Sequence, residues 1–235
     1  MSLIEVKDIK KVYRLGSEKV HALRGVSFNI EAGEVCVILG KSGSGKSTLL
    51  NMMAGLEKPT RGSVKIKGEV VTKMSEKKLA MFRQKNVGFI FQSYNLMGAL
   101  TALENVAMPL TFRGISSKKR NAAAKKMLEN VGLGDRVKHK PNQMSGGQQQ
   151  RVGIARALVG KAEVVFADEP TGNLDSKTSD EVMQLMVDIC KRNNQALVIV
   201  THDGSVGQYA DKIVSVLDGE VQNIVVKGEK QDEQA

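Results

Sequence analysis

The stretch Gly40-Lys41-Ser42-Gly43-Ser44-Gly45-Lys46-Ser47-Thr48 decides the fold. It fits G-x-x-x-x-G-K-[ST], the phosphate-binding loop. The apolar run Val35-Cys36-Val37-Ile38-Leu39 precedes it, and a helix-like run, Thr48-Leu49-Leu50-Asn51-Met52-Met53, follows. That is the strand–loop–helix setting the motif requires. Its glycines let the backbone turn tightly enough for successive N–H groups to face phosphate oxygens. The helix N-terminus adds partial positive charge. In such a loop Lys46 reaches the β- and γ-phosphates and the Ser47 hydroxyl binds Mg²⁺. The stretch therefore implies a bound nucleoside triphosphate.

Further along, Val164-Val165-Phe166-Ala167 ends in Asp168-Glu169. A buried strand would deliver both carboxylates to the edge of the sheet where ligands bind. Asp168 is a candidate for Mg²⁺, through water. Glu169 is a candidate general base for an attacking water. Gln92 ends the apolar run Val87–Phe91, and its amide oxygen could ligate Mg²⁺ or orient water. His202 follows the strand-like 195–201 and could donate a hydrogen bond to a γ-phosphate. His21 and His139 lack such a setting and read as surface or structural residues. A second site of phosphate type opens at Met144-Ser145-Gly146-Gly147-Gln148, where a Ser-Gly-Gly turn starts a helix. One nucleotide does not need two such helix ends in one chain. A head-to-tail pair of chains would use both.

The chain has 235 residues, 41% hydrophobic and 26% charged, as in ordinary globular proteins. No apolar run approaches the ~20 residues that cross a bilayer, and the N-terminus lacks a signal-peptide layout. Cytoplasmic location is the expectation. Two cysteines, Cys36 and Cys190, make no disulfide framework and read as buried thiols. The net charge is +10. Between Thr111 and Lys140, nine Lys/Arg stand against Glu129 and Asp135. Such a run suits nucleic acid, anionic lipid or an acidic partner, or simply a solvated face.

Ile4-Glu5-Val6, 26–30 and 63–68 alternate as half-buried strands do. A short helix is predicted over 75–84. From Thr101 to about Leu158 the pattern turns helical. Thr101-Ala102-Leu103-Glu104 is a capping box, 117–131 is an amphipathic helix closed by Gly132, and Ser145 caps a helix to Leu158. Strands at 164–167 and 196–200 flank a helix at 177–192, which implies a parallel, doubly wound sheet. Val214–Leu217 and Val221–Val226 form a closing hairpin about Asp218-Gly219. The expected class is α/β: a phosphate-loop (RecA-like) core with an antiparallel β subdomain over about 1–92 and 159–227. A helical subdomain is inserted at about 93–158, and residues 228–235 form a polar tail.

The order of these motifs, with Asp168-Glu169-Pro170, Asn173-Leu174-Asp175 and Thr201-His202-Asp203, resembles the ATPase subunit of an ATP-binding cassette (ABC) transporter. Tyr13, in Lys11-Val12-Tyr13, matches the family's adenine-stacking aromatic. The resemblance runs from Tyr13 to His202. It implies that residues 40–48 bind the phosphates of ATP and that Ser47 and Gln92 ligate Mg²⁺. It implies that Ser145, Gly146, Gly147 and Gln148 act in trans on the partner's γ-phosphate. Glu169 would be the base, His202 the switch residue, and Asp175 a coupling residue across an ATP-dependent homodimer. Met144 stands where Leu is usual, a swap that conserves volume. Gln92-Ser93-Tyr94-Asn95-Leu96, Leu100–Val106 and Pro170–Asp175 are similar to the macrolide-exporter and lipoprotein-releasing (MacB/LolD-like) branch. That implies a separate membrane permease, driven through a groove near Gln92, and export or extraction of a peptide, lipoprotein or drug. The basic stretch is expected against anionic lipid or an acidic permease loop. A regulatory ATPase driving a non-transporting membrane partner stays open. Soluble relatives acting on nucleic acid or ribosomes carry two ATPase halves or long coiled coils. This chain has one set of motifs and no sustained heptads, so a nucleic-acid partner is disfavoured.

Overall fold

The computed structural model describes residues 2–228; most of the polar tail lies outside them. The chain begins with two long strands, β1 (Ile4–Leu15) and β2 (Glu18–Ile30), then the short β3 (Val35–Leu39) and helix α1 (Lys46–Met53). Next come β4 (Arg61–Ile66), β5 (Glu69–Val70), α2 (Glu76–Asn86) and β6 (Val87–Phe91). Three helices follow: α3 (Ala102–Phe112), α4 (Ser117–Asn130) and α5 (Gly146–Leu158). The chain returns through β7 (Val164–Asp168), α6 (Ser176–Arg192) and β8 (Ala196–Thr201), and closes with β9 (Lys212–Leu217) and β10 (Glu220–Val226).

Two sheets result. One is antiparallel, in the order β2-β1-β4-β5; the other has the order β10-β9-β3-β8-β7-β6. In the second, β9, β3, β8, β7 and β6 run parallel, and only β10 is antiparallel. Its central strands β3, β7 and β8 are apolar on both faces because each face is covered. Val35, Val37, Val165, Ala167, Leu197 and Ile199 pack toward a core shared with α3 to α6. Cys36, Ile38, Phe166, Val198 and Val200 alternate with them and meet α1 and the antiparallel sheet. Phe166 is wholly buried, worth about 2–3 kcal/mol. Cys36 and Cys190 are free and buried, as expected, and burial pushes the Cys190 thiol up to about 12.

The parallel register positions the site. Leu39 lies opposite Thr201, Asp168 opposite Val200, and Phe91 opposite Asp168. These strands therefore end together. The residues that follow them, Gly40, Gln92, Glu169 and His202, emerge at one sheet edge, where ligands bind in such folds.

The helices follow local chemistry. Thr101 caps α3 in a full capping box with Glu104, and Ser145 caps α5 likewise with Gln148. Asn130 ends α4 one residue before its expected end, and Gly132 follows in the left-handed region at φ 76°. The expected α2 is two residues longer at its end, and α6 begins one residue earlier, with Asp175 as its cap.

Candidate active site

The loop after β3 curls over the start of α1. Gly40 admits no side chain there: a Cβ would stand 2.2 Å from the Val216 carbonyl oxygen. Gly45 takes φ 96° at the cap of α1, and a Cβ on it would stand 2.4 Å from the Ala22 oxygen. The two glycines thus seat the loop against β9 and β2. Lys46 is nearly buried, at 6% exposure, and its ammonium donates to the Lys41 carbonyl at 2.8 Å. Ser44 is buried too, and its Oγ finds no hydrogen-bond partner among the described residues.

A cleft of about 520 Å³ opens on this loop. Ser42, Gly43, Gly45, Lys46, Ser47 and Thr48 form one wall, Gln92, Glu169 and His202 another, and Val20, His21 and Ala22 the third. Of the sequence-derived candidates, the cleft brings together the loop, Gln92, Glu169 and His202. Asp168 lies beneath, where the Ser47 hydroxyl donates to its Oδ1 at 3.1 Å. Burial raises the Asp168 carboxyl above its ordinary range, and neighbouring Glu169 adds to this. The Ser47 hydrogen bond and the Lys46 charge oppose it.

Glu169 adopts φ 46°, a left-handed conformation rare for a side chain with Cβ. Its N–H donates to the Val200 carbonyl at 2.9 Å, which ties the turn to β8. Both carboxylate oxygens are engaged. The Thr201 hydroxyl donates to Oε2 at 3.1 Å, and His202 Nδ1 lies 2.7 Å from Oε1. Its side chain is 17% exposed, against 65% for His202. The strained turn presents a held carboxylate opposite the phosphate loop.

Gln92 is clasped by Asn173. The Asn173 amide donates to the Gln92 carbonyl at 3.0 Å, and the Gln92 amide nitrogen lies 3.5 Å from Asn173 Oδ1. This leaves the Gln92 side-chain oxygen for a ligand in the cleft. Tyr13 stands outside the cleft wall, while its strand partner Val20 lies in it. The Tyr13 hydroxyl donates to Glu57 at 2.8 Å, and Lys11 lies 5.0 Å from the ring centroid. Burial and the Glu57 bond push the phenol up, against a hydrogen bond with Thr48.

Ser145, Gly146, Gly147, Gln148 and Asp175 lie apart from this cleft. The Ser145 hydroxyl accepts from Gln148 N–H at 3.3 Å, and Gln148 Oε1 accepts from Ser145 N–H at 3.0 Å. The first N–H groups of α5 have no partner within the helix. A Cβ on Gly147 would stand 2.5 Å from Thr178 Cγ2, so α5 starts hard against α6. Asp175 caps α6, accepting from the Thr178 N–H and hydroxyl, and those bonds hold its carboxyl below the usual range.

Sequence reasoning missed several residues. His21 is a surface residue, as expected, yet it walls the cleft. Asn105, fully buried, donates to three carbonyls, at Met97, Leu100 and Thr101, and accepts from Met97 N–H. Arg156 holds the Tyr94 carbonyl at 2.9 Å, and the buried Gln150 amide holds that of Pro170 at 2.6 Å. Each of these contacts joins residues that are not adjacent in the sequence, so no local pattern signalled them.

A phosphate loop, a strand-end carboxylate pair and a doubly wound sheet define a phosphate-loop nucleotide-binding ATPase. The chain belongs to the ABC transporter family, whose model matches residues 23–172. It is 46% identical to the lipoprotein-releasing system ATP-binding protein LolD of Geobacter metallireducens, over 94% of this chain and 98% of that protein. It is 45% identical to the macrolide export ATP-binding/permease protein MacB of Hyphomonas neptunium, over 93% of this chain but 34% of that longer protein. Among solved structures it resembles the ATP-binding cassette MJ0796, a dimer in a post-hydrolysis state bound to ADP and Pi. The TM-score is 0.88 at 41% identity, covering 95% of this chain and 98% of that one. The chain is an ABC ATPase subunit of MacB/LolD type. It binds and hydrolyses ATP.

Proposed function

We propose that two copies of this chain close on two Mg·ATP and drive a separate membrane permease, for export or extraction of a peptide, lipoprotein or drug. The observation that carries this reading is the cleft itself, where the held Glu169 carboxylate faces the phosphate loop across a space shared with Gln92 and His202. Lys46 and the loop N–H groups hold the phosphates, and Tyr13 stacks on adenine at the cleft's rim. Glu169 takes a proton from the attacking water, and His202 senses the γ-phosphate. Ser145, Gly146, Gly147 and Gln148 close the partner's site, and Asp175 links the two.

Among the described residues no three His, Cys, Asp or Glu side chains converge as a metal cage. Mg²⁺ needs none: it keeps waters and phosphate oxygens and takes few protein ligands. The Ser47 hydroxyl, the free Gln92 oxygen and Asp168 are oxygen donors that fit it. When bound it would neutralise phosphate charge. Hydrolysis should stop in EDTA, and Ser47→Ala and Gln92→Ala should each raise the Mg²⁺ concentration needed for half-maximal turnover. Undiminished turnover in EDTA would overturn the metal assignment.

No helix among the described residues is long and apolar enough to cross a membrane. The match to a lipoprotein-releasing system ATP-binding protein over 98% of its length supports a separate permease and an ATPase held on the inner membrane face. A groove of about 790 Å³ between α2 and α3 offers the docking place, with Met81 63% and Phe112 70% exposed on its walls. The outer face of α4 carries Lys118, Lys119 and Lys126 exposed, which supports contact with anionic lipid. Vesicle binding should fall with salt; salt-independent binding, or none, would remove that contact. A regulatory role on a non-transporting membrane partner uses the same surfaces.

A further inference from the structure

A second groove, of about 790 Å³, lies on the antiparallel sheet, and nothing in the ATPase reading uses it. Its cations are Lys10 and Arg14 on β1, Lys19 and Arg24 on β2, and Arg61 on β4, with Glu220 the only carboxylate on the wall. The strand register sets like charges face to face. Lys10 lies opposite Arg24 on one side and Arg61 on the other, and Arg14 lies opposite Lys19. Directly opposed like charges destabilise a sheet. The chain does little to offset them. Lys10 meets Asp8 at 3.5 Å, and Arg24 gives its Nε–H to the Asp218 carbonyl at 3.1 Å. Arg14, Lys19 and Arg61 form no ion pair among the described residues.

Guarding of an exposed sheet edge explains charges on edge strands. It does not explain Lys10, because β1 is paired on both sides there, with β2 and with β4. Something anionic outside the chain would relieve the repulsion. The volume falls in the range of small-molecule sites, about 300–1,000 Å³. Three adjacent strands span about 10 Å, the reach of a short polyphosphate rather than of an extended nucleic acid. Val12, half-buried, adds an apolar contact to the wall for an organic moiety. His21 belongs to both this groove and the ATP cleft, so the two adjoin.

We propose that this groove is a binding site for a small organic polyphosphate, separate from the ATP site. The proposal rests on the groove and not on the transport reading. The test is calorimetric titration of tripolyphosphate into the protein saturated with ADP, in magnesium-free buffer, so that the phosphate loop is filled. One further molecule per chain should bind, more weakly as salt rises from 50 to 200 mM. Lys10→Gln with Arg61→Gln should weaken it at least ~10-fold. No binding to the ADP-saturated protein, or binding unchanged in the double variant, overturns the site. Phosphatidylglycerol vesicles or a single-stranded oligonucleotide bound through these residues in place of tripolyphosphate overturns the ligand class. A second measurement separates binding from folding. Arg14→Gln should unfold at or above the wild-type temperature at low salt and gain less from tripolyphosphate. Unfolding below wild type would make Arg14 a structural residue and count against the proposal.

Discussion

Glu169 sits where strain, hydrogen bonding and position coincide. Its left-handed backbone costs on the order of 1–3 kcal/mol, and the fold holds it with bonds from Thr201 and to Val200. Gln keeps the size and both hydrogen-bond contacts but cannot take a proton from water. Glu169→Gln should therefore bind ATP normally and hydrolyse it about 100-fold more slowly or worse, measured as phosphate release at saturating Mg·ATP. Turnover near the wild-type rate would refute the base assignment. Asp168 gives a second prediction, about stability. Its carboxyl is raised, first by burial and then by Glu169, so the folded state binds a proton more readily than the unfolded chain. The ionised form is a cost at neutral pH, and the cost fades as pH falls through the raised value. Nucleotide-free Asp168→Asn should melt above wild type at neutral pH, and the gap should close on acidification. Asparagine still accepts from Ser47. A gap that widens toward low pH would reverse the sign of the argument.

At the scale of elements, α3 is fixed at its start and along one buried face. Thr101→Ala removes the capping box and should cost about 1 kcal/mol in urea unfolding. Asn105→Ala should cost more, about 3 kcal/mol, because it strands the carbonyls of Met97, Leu100 and Thr101 and the Met97 N–H. An Asn105→Ala cost no larger than that of Thr101→Ala would show that the 92–100 segment relaxes onto water. The contrast also shows what the sequence could carry. The Thr101 cap is written in four consecutive residues and is readable. The role of Asn105 depends on where 97–100 folds back, which no local pattern encodes. The β1–β2 hairpin was legible only in part, at 4–6 and 26–30. Register shifts at Ile9/Lys10 and Lys11/Val12 break the alternation, and polar residues fill both sides of the remainder. The phosphate loop and the acidic strand end were legible because their chemistry demands fixed residues at fixed spacing. The Asn173 clasp on Gln92 and the place of His21 in the cleft were not, because each joins segments far apart in the chain.

For the whole molecule, the decisive fact is that two glycine-rich helix starts open on different surfaces. The cleft over α1 contains no residue of 145–148, and Ser145 and Gln148 already satisfy one another. What remains at the start of α5 is a set of N–H groups and a positive dipole end, suited to an anion brought from outside. If a second chain brings that anion as the γ-phosphate of its ATP, pairing must be head to tail and must depend on nucleotide. Glu169→Gln, which retains its ATP, should then run as a monomer alone and as a dimer with Mg·ATP in size-exclusion with light scattering. Adding Ser145→Arg should keep the monomer folded, because Ser145 is exposed, yet abolish the dimer by filling the space the phosphate needs. Dimer formation undiminished by Ser145→Arg would mean that α5 does not meet the partner's nucleotide. Glu169→Gln remaining monomeric with Mg·ATP would mean that nucleotide alone does not pair the isolated subunit. The first result would move the second phosphate site out of the catalytic cycle. The second would place the closing force in the membrane partner.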